Sequence, residues 1–276
     1  MECWIPDMDL EQIAASGQCF RMEGNEGVFS VIAGERYLEI ALVPEAQGQR
    51  QGCFRLSCSQ EEWNSFWSRY FDAETDYGAA KAAIDLQDEY LLEASRGGWG
   101  IRILRQDLWE MIITFIISQR NNIPRIRRCV ELLCRRYGKE MQNFRGETYY
   151  AFPGPEDLSQ ATEEELRACN LGYRAGYILE TARMVNAGEF QLEALHDMAY
   201  PEARAALMEL KGVGIKVAEC VCLFGLHHLE AFPVDTHIAQ ALENHYPQGF
   251  PLERYGSLSG ILQQYIFFYE LGKGKK

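Results

Sequence analysis

Residues 210–220 read Leu-Lys-Gly-Val-Gly-Ile-Lys-Val-Ala-Glu-Cys, and this stretch predicts two helices joined by a tight turn. Apolar Leu207 and Leu210 end one helical run, and a second apolar run begins after the turn. Glycines in Gly212-Val213-Gly214 permit a turn that side chains would block. A helix that begins directly after such a turn directs free N–H groups and its positive dipole end outward, which suits a phosphate. The stretch therefore predicts a phosphate-binding helical hairpin over residues 203–226.

Two residues with reactive side chains accompany this hairpin. Lys216 falls in the first turn of the second helix, beside the expected phosphate site, and a neutral lysine amine is a nucleophile. Residues 233–237 read Pro-Val-Asp-Thr-His and place Asp235 at the start of another helix. Each residue also has a plainer explanation, because surface lysines bind phosphate and aspartates commonly cap helices. The two residues by themselves leave both explanations open.

The composition indicates a folded protein with an acidic surface. The chain of 276 residues has room for two domains, and its net charge of −13 counts against binding nucleic acid. Overall charge is nevertheless a poor guide to the local field. A group of positive residues lies close together in the sequence: Arg120, Arg125, Arg127, Arg128, Arg135, Arg136 and Lys139. We therefore expect a basic cleft on an acidic body.

The nine cysteines are scattered and include no Cys-x-x-Cys pair, so a structural zinc site is not expected. Nor does a four-cysteine cluster lie near the C-terminus, which argues against an iron–sulfur site. Reduced, mostly buried thiols in a cytosolic compartment are the simpler expectation. The first residues lack the features of a signal peptide, and no apolar run approaches the length of a membrane span.

Residues 1–87 are predicted to form an antiparallel β-sheet domain with flanking helices. Residues 28–32 and 36–42 are rich in β-formers, and Gly34-Glu35 between them predicts a hairpin. A third strand is expected at 53–58, after the polar loop 44–52. Helices are expected at 61–70 and 78–86.

Residues 88–276 are predicted to be helical nearly throughout. Leu108, Ile112 and Phe115 belong to the apolar stripe of a buried helix, and Pro124 suits the first turn of the next one. Further helices are expected at 162–169, 174–186, 202–210, 215–226, 236–244 and 257–270, before a frayed basic tail over 272–276. The fold class predicted is α+β, with the N-terminal sheet domain packed on a mainly α-helical domain.

Several separated segments resemble one family in the order in which they occur. Besides the hairpin and residues 233–237, they are 16–21, 105–110, 115–126, 171–175 and 263–267. Together they are similar to the 8-oxoguanine DNA glycosylases of the helix-hairpin-helix superfamily. The resemblance covers most of the chain and implies two helical subdomains flanking a cleft. It also implies a base-excision repair enzyme that extrudes the damaged nucleotide from duplex DNA.

The resemblance assigns the catalytic roles to Lys216 and Asp235. In the family, a lysine at the place of Lys216 forms a Schiff base with the sugar, whose carbon becomes cation-like as the base leaves. Asp235 matches an aspartate that stabilises the developing positive charge or assists proton transfer. Capping the helix is compatible with this role, because a cap fixes the position of the carboxylate.

The pocket for the damaged base is implied at four residues. Gly17 matches a glycine whose carbonyl accepts a hydrogen bond from N7–H, a group that 8-oxoguanine has and guanine lacks. Cys220 lies one helical turn after Lys216, where it either complements the polarised base or serves as a small core residue. Gln263 is expected to hold the Watson–Crick edge, and Phe267 to stack on the base. A neighbouring register, Gln264 and Phe268, is also conceivable.

The strand opposite the lesion and the DNA backbone complete the implied site. Arg125 and Arg174 match arginines that read the opposite cytosine, and Tyr173 matches a residue that wedges beside it. Arg120 stands where the family has an asparagine, with Asn121 after it, so filling of the gap in the duplex is expected to differ. Contacts to phosphates are expected from Gly212, Gly214, Val217 and His237.

The sequence thus predicts a bifunctional 8-oxoguanine DNA glycosylase that also nicks the strand by β-elimination. The alternatives are a non-catalytic helix-hairpin-helix DNA-binding protein and a glycosylase for another damaged base. No metal or cofactor is expected to be required, although a structural cation at the hairpin backbone is conceivable. The expected partner is duplex DNA with 8-oxoguanine opposite cytosine, bound by a monomer without membrane association. If the source is prokaryotic, we expect a cytoplasmic, nucleoid-associated protein.

Overall fold

The N-terminal part of the chain forms a five-stranded antiparallel sheet. The computed structural model describes residues 1–43 and 52–273 of the chain. The strands are β1 Glu2–Trp4, β2 Met22–Asn25, β3 Val28–Ala33, β4 Arg36–Leu42 and β5 Cys53–Leu56, in the spatial order β1-β5-β4-β3-β2. The predicted hairpin and third strand are confirmed, and Ile40 on β4 pairs with Leu56 on β5. The edge strands β1 and β2 were not predicted, because they are short and β2 reads Met-Glu-Gly-Asn.

The rest of the described chain is mainly helical, with one small hairpin of β6 Glu140–Gln142 and β7 Thr148–Tyr150. The helices are α1 Leu10–Ala15, α2 Gln60–Glu62, α3 Ser68–Tyr70, α4 Tyr77–Ala82, α5 Glu89–Gly97, α6 Leu108–Ser118, α7 Ile123–Tyr137, α8 Pro155–Ser159, α9 Glu163–Leu166, α10 Arg174–Asn186, α11 Tyr200–Leu207, α12 Ile215–Phe224, α13 Thr236–His245, α14 Leu252–Tyr255 and α15 Ser259–Lys273. Among the described residues, Trp63–Trp67 and Arg167–Leu171 are π-helical, and Glu193–Asp197 and Gly256–Leu258 are 3₁₀-helical. The α+β class predicted from the sequence is confirmed.

Local signals explain where several of these helices begin. The helix predicted at 174–186 has these bounds as α10. Pro124 lies in the first turn of α7, where Asn122 caps the helix by accepting from the N–H of Arg125 at 3.0 Å. The helix predicted at 61–70 is instead two short α segments on either side of a π-helical one. Residues 44–51 of the predicted loop and 274–276 of the predicted tail lie outside the described residues, whereas residues 272 and 273 belong to α15.

The chain forms two compact units that do not follow its order. The first unit comprises Met1–Val31, Leu38–Arg105 and His227–Lys276, and the second comprises Ile32–Tyr37 and Gln106–Leu226. The boundary predicted after residue 87 divides the chain by sequence, and it stays a prediction. Along the described ranges, the structure contains no helix with the length and apolar character that crossing a lipid bilayer requires.

A buried carboxylate in the first unit joins the two points at which the chain leaves this unit and returns to it. Asp72 is buried and accepts from the Arg105 guanidinium at 2.7 Å and the Tyr77 hydroxyl at 2.9 Å, while the ring of His227 lies 3.2 Å away. Burial by itself raises the pKa of this carboxyl, but His227, Arg105 and Thr75 outweigh it and lower the pKa to about 2. The ionised form therefore stabilises the first unit.

Replacing Asp72 with asparagine is expected to lower the free energy of unfolding at pH 7 by about 2 kcal/mol or more. In the wild type, the same contribution is present above about pH 4, the ordinary pKa of aspartate, and is lost as pH falls toward 2. Urea unfolding at both pH values measures it. Asp85→Asn is the matched control, since its ion pair with Arg254 lies at the surface and contributes little. Equal effects of the two substitutions would contradict the anchoring role of Asp72.

Candidate active site and DNA-binding hairpin

The turn of the predicted hairpin accepts only glycine at its first position. Helices α11 and α12 are joined by residues 208–214, and Gly212 has a φ of +81°. A Cβ at this position would overlap the ring of Tyr177. The carbonyl of Gly212 accepts a hydrogen bond of 2.8 Å from the side chain of Gln119, at the end of α6. Backbone conformation, lack of space and this hydrogen bond together fix the turn.

The second glycine of the turn leaves the start of α12 open. Gly214 is the N-cap residue, with an ordinary φ of −94° and no side chain to accept from the first turn. The first backbone hydrogen bond of the helix runs from the N–H of Ala218 to the carbonyl of Gly214 at 3.0 Å. A Cβ at Gly214 would meet no atom within 4 Å of the described protein. The N–H groups of the turn and first helical residues are therefore presented for an anion.

Lys216 lies half-buried on α12, against the end of α6. Its Nζ is 3.3 Å from the Ser118 hydroxyl, which donates to the carbonyl of Phe115 at 2.8 Å. The same Nζ lies 5.4 Å from the centroid of the Phe115 ring. Within the described parts of the chain, no carboxylate forms an ion pair with this amine. Cys220, one turn further along, is buried.

A buried carboxylate, paired with a half-exposed arginine, fixes the helix that carries Lys216. Glu219 is 5% exposed, and its Oε1 accepts from the Tyr200 hydroxyl at 2.5 Å and from Arg204 Nη1 at 3.0 Å. The hydrogen bond to Glu219 raises the pKa of the Arg204 guanidinium. Tyr200 and Arg204 belong to α11, so the pair ties the two helices of the hairpin together. Sequence analysis missed this contact, because spacing does not show which charge on α11 meets Glu219.

The turn after α6 is held by Arg174. Arg120 is exposed and has a φ of +47°, a left-handed conformation that is uncommon for residues other than glycine and asparagine. The buried guanidinium of Arg174 donates to the carbonyls of Gln119, of Arg120 at 3.3 Å and of Leu171 at 3.4 Å. In this structure Arg174 therefore supports the turn, and its predicted reading of a base stays a prediction. Asn121 donates to the carbonyl of Ile117 at 3.1 Å.

The remaining predicted readers of the opposite strand lie beside Arg174. The guanidinium of Arg174 stacks 4.6 Å from the ring centroid of Tyr173, which is 47% exposed. Arg125 is exposed in the first turn of α7. Burial raises the pKa of the Cys129 thiol, whereas the charges of Arg125 and Arg174 and a hydrogen bond with Arg125 oppose this rise. The structure thus brings Tyr173, Arg174 and Arg125 together within the second unit.

In the first unit, Asp235 caps α13. Its Oδ1 accepts from the N–H of Ile238 at 2.9 Å, and no side-chain partner holds the other oxygen among the described residues. Helix α15 contacts the residues on either side of Asp235. Gln263 Nε2 donates to the carbonyl of Pro233 in the loop before it at 2.8 Å, and the ring of Phe267 meets that of His237 on α13 edge-on at 6.0 Å. The residues four apart at 263 and 267 therefore face the loop before Asp235 and the first turn of the helix that it caps.

Gly17 also lies in the first unit, in a turn with a φ of +73°. Its neighbour Gln18 is buried and donates to the carbonyl of Arg102 at 2.9 Å, while the amide oxygen accepts from the N–H of Leu104 at 2.9 Å. These bonds hold the turn in which the carbonyl of Gly17 is presented. The predicted contact of that carbonyl with a base stays a prediction.

Side chains suited to a metal ion do not gather in the described ranges: no group of three or more His, Cys, Asp or Glu has the required proximity. At the hairpin, a cation would have to use backbone carbonyls, and that of Gly212 already accepts from Gln119. The cation considered from the sequence stays a prediction.

The two hairpin glycines are expected to respond differently to alanine. Gly212→Ala should lower the free energy of unfolding by about 2–4 kcal/mol, because a left-handed conformation and an overlap are both imposed. Gly214→Ala is the matched control and should change it by less than about 1 kcal/mol, since its Cβ meets open space. Chemical denaturation of the three proteins measures both effects. Similar losses in the two variants would contradict the described turn.

Two protein-family models together match most of the chain. One is described as the N-terminal domain of 8-oxoguanine DNA glycosylase and matches residues 3–112. The other, the HhH-GPD superfamily of base excision DNA repair proteins, matches residues 113–249. The first model contains the sheet and Gly17, and the second contains the hairpin and Asp235.

Individual relatives match over nearly the whole chain. A probable N-glycosylase/DNA lyase of Methanothermobacter thermautotrophicus is 34% identical, over 95% of this chain and 93% of that protein. The N-glycosylase/DNA lyase OGG1 of Arabidopsis thaliana is 32% identical, over 97% of this chain and 80% of that protein. The Clostridium acetobutylicum 8-oxoguanine glycosylase/lyase, solved with double-stranded DNA containing cytosine opposite 8-oxoG, is similar with a TM-score of 0.89 and 35% identity, over 97% of this chain and 93% of that one. The chain belongs to the 8-oxoguanine DNA glycosylase family of the HhH-GPD superfamily.

Proposed function

We propose that this protein excises 8-oxoguanine from duplex DNA in which cytosine is the opposite base, and then nicks the strand. The observation that carries the proposal is Lys216, whose amine has no carboxylate counter-ion among the described residues and lies at the open start of the hairpin helix. The relatives that match nearly the whole chain are named N-glycosylase/DNA lyases, which favours an enzyme over a non-catalytic DNA-binding protein. The similar 8-oxoguanine glycosylase/lyase structure favours 8-oxoguanine over another base.

In the proposed reaction, the Lys216 amine forms a bond to the sugar carbon while the bond from that carbon to the base breaks. The base leaves with the electron pair of the broken bond and takes up a proton. The attached amine loses one proton and the ring oxygen takes one up as the sugar ring opens, which gives the Schiff base. Loss of a proton from C2′ then allows β-elimination to expel the 3′ phosphate. The Ser118 hydroxyl and the Phe115 ring hold the amine in place before reaction.

Asp235 is proposed to stabilise the positive charge that develops on the sugar as the base leaves. The cap bond to Ile238 uses one carboxylate oxygen and fixes the orientation of the group. Because the helix backbone holds one oxygen, the position of the other carboxylate oxygen is fixed as well. A preorganised charge of this kind lowers the barrier without reorganisation during the reaction.

Contacts to the extruded base are proposed for Gly17, Cys220, Gln263 and Phe267, as expected from the sequence. The backbone phosphates are proposed to meet the N–H groups of Gly212, Gly214 and Val217, together with His237. The open first turn of α12 supports the phosphate contacts, because its N–H groups and dipole favour an anion. The edge-on pair of His237 and Phe267 supports a shared location for the histidine and the stacking ring.

Opposite the lesion, Arg125, Arg174 and Tyr173 are proposed to recognise cytosine, while Arg120 and Asn121 fill the gap left by the extruded nucleotide. The backbone of Arg120 supports this proposal. It has a strained left-handed conformation, which a hydrogen bond from Arg174 maintains, and its side chain is exposed. The protein is further proposed to act as a monomer without a required cofactor, and to be cytoplasmic and nucleoid-associated if its source is prokaryotic.

Lys216→Gln is expected to abolish the covalent adduct that borohydride traps on duplex DNA containing 8-oxoguanine opposite cytosine. An amide has no nucleophilic lone pair to form the Schiff base. Gel electrophoresis of the trapped complex measures the adduct. The matched control is Lys211→Gln, an exposed lysine of the same hairpin that pairs with Glu180 at 2.7 Å and should leave trapping unchanged. A trapped adduct with Lys216→Gln would overturn the assignment.

Asp235→Asn separates catalysis from capping, since asparagine caps helices as well as aspartate does. We expect base release to slow by about 100- to 1000-fold in single-turnover assays, because the charge is lost. The free energy of unfolding should change by less than about 0.5 kcal/mol. Asp107→Asn is the matched cap control, because Asp107 accepts from the N–H of Glu110 at the start of α6. If Asp235→Asn keeps full activity, the carboxylate only caps the helix.

Arg125→Ala is expected to weaken the preference for opposite cytosine about tenfold, by removal of one bidentate base contact. The measured quantity is kcat/KM opposite cytosine divided by kcat/KM opposite adenine. Arg125 suits the test better than Arg174, whose guanidinium supports the turn after α6. Arg128→Ala, also exposed on α7, controls for the general loss of positive charge. An unchanged ratio would remove Arg125 from the readout of the opposite base.

A further inference from the structure

Two adjacent glutamines of α15 form a buried chain of hydrogen bonds with the loop before Asp235. Gln263 and Gln264 are each 3% exposed. Gln263 Nε2 donates to the carbonyl of Pro233 at 2.8 Å, and Gln264 Nε2 donates to Gln263 Oε1 at 3.1 Å. The two contacts therefore engage opposite ends of the Gln263 amide.

This chain has only one consistent direction. A backbone carbonyl only accepts hydrogen bonds, so the Pro233 carbonyl requires the NH₂ end of Gln263. The oxygen of Gln263 then lies toward Gln264 and requires a donor, which only the NH₂ group of Gln264 supplies. Turning either amide over would place two oxygens or two NH₂ groups against each other.

The arrangement leaves one polar atom unsatisfied. Gln264 Oε1 is buried and has no hydrogen-bond partner among the described residues. An apolar side chain at 264 would remove this orphaned carbonyl but would leave the buried Gln263 oxygen without its donor, so the two costs offset each other. A gain in stability thus does not explain Gln264, whereas its donation to Gln263 provides a role for it.

We propose that Gln264 is a positioning residue that orients the Gln263 amide for recognition of a guanine-type base edge. The inference rests on the proposed function. With Pro233 and Gln264 engaged, Gln263 retains one N–H and one oxygen lone pair. These match the carbonyl O6 and the N1–H of 8-oxoguanine, which an amide meets as a donor–acceptor pair.

The same orientation disfavours an adenine-type edge. An adenine carries an amino group at position 6 and a bare nitrogen acceptor at position 1, the reverse of guanine. To pair with it, the Gln263 amide would have to turn over, which would break both buried hydrogen bonds. Gln264 thereby makes discrimination between the two edges depend on a residue that does not touch the base.

The test uses Gln264→Met, which keeps the side-chain length and removes the donor. The substrates are duplexes with 8-oxoguanine or 8-oxoadenine opposite cytosine. We expect kcat/KM for 8-oxoguanine to fall about five- to tenfold relative to 8-oxoadenine. The melting temperature should change little, because removal of the orphaned Gln264 oxygen offsets the donor that Gln263 Oε1 loses. A lower melting temperature with an unchanged ratio would show a structural role only and would overturn the proposal.

Two further variants separate positioning from general disturbance of α15. Tyr265→Phe is the matched control, since Tyr265 is buried next in the helix and its hydroxyl also lacks a partner in the described chain. It should leave the ratio unchanged. In a Gln263→Met background, Gln264→Met should cause no additional loss of kcat/KM, because there is no amide left to orient. A full additional loss in that background would overturn the proposal.

Release of 8-oxoguanine by the wild-type protein distinguishes failure of the role of Gln264 from failure of the proposed function. Wild-type protein that does not release 8-oxoguanine contradicts the proposed function and this role with it. Active wild type with an unchanged ratio in Gln264→Met contradicts only the role of Gln264.

Discussion

The hydrogen bond from the Gln119 side chain to the Gly212 carbonyl is the contact on which the second unit's part of the site depends. Gln119 lies directly after α6, so its backbone carbonyl accepts from Arg174 while its side chain holds the hairpin turn. The preceding residue, Ser118, contacts the Lys216 amine. The end of one buried helix thus sets the positions of the turn, the Lys216 amine and the residues around Arg120. Gly212 makes this possible, because any side chain there would displace Tyr177.

Much of the fold follows from local signals in the sequence. The bounds of α10, the glycine turn before α12 and the central hairpin of the sheet are set by periodicity, Gly and β-branched residues. Elements whose stability comes from neighbours were missed, above all the edge strands β1 and β2 and the small β6–β7 hairpin. The π-helical segment Trp63–Trp67 was predicted as ordinary helix, since its residues suit both conformations.

For the site as well, local sequence predicts some features, whereas others depend on tertiary packing. Motif spacing places Lys216 in the first turn of its helix and Asp235 at the cap of the next, whereas their proposed catalytic roles come from the family resemblance. The partners that orient reactive groups are distant in sequence, as with Ser118 for Lys216, or ambiguous, as with the acceptor of Gln264. Arg174 illustrates the limit: its residue type suggests a base reader, but the structure shows its guanidinium occupied by backbone carbonyls. Which groups an arginine meets is decided by packing, not by sequence pattern.

The contacts of Asp72 affect how the chain tolerates insertions and deletions. Arg105 and His227 both meet that carboxylate, so the ends of the segment Gln106–Leu226 are tied at one point of the first unit. The segment is a closed loop, and the entropy of closing a loop grows only with the logarithm of its length. Insertions and deletions inside the segment therefore alter the closure cost little. The segment that carries Lys216 can therefore vary in length while the unit that carries Asp235 keeps its anchor unchanged.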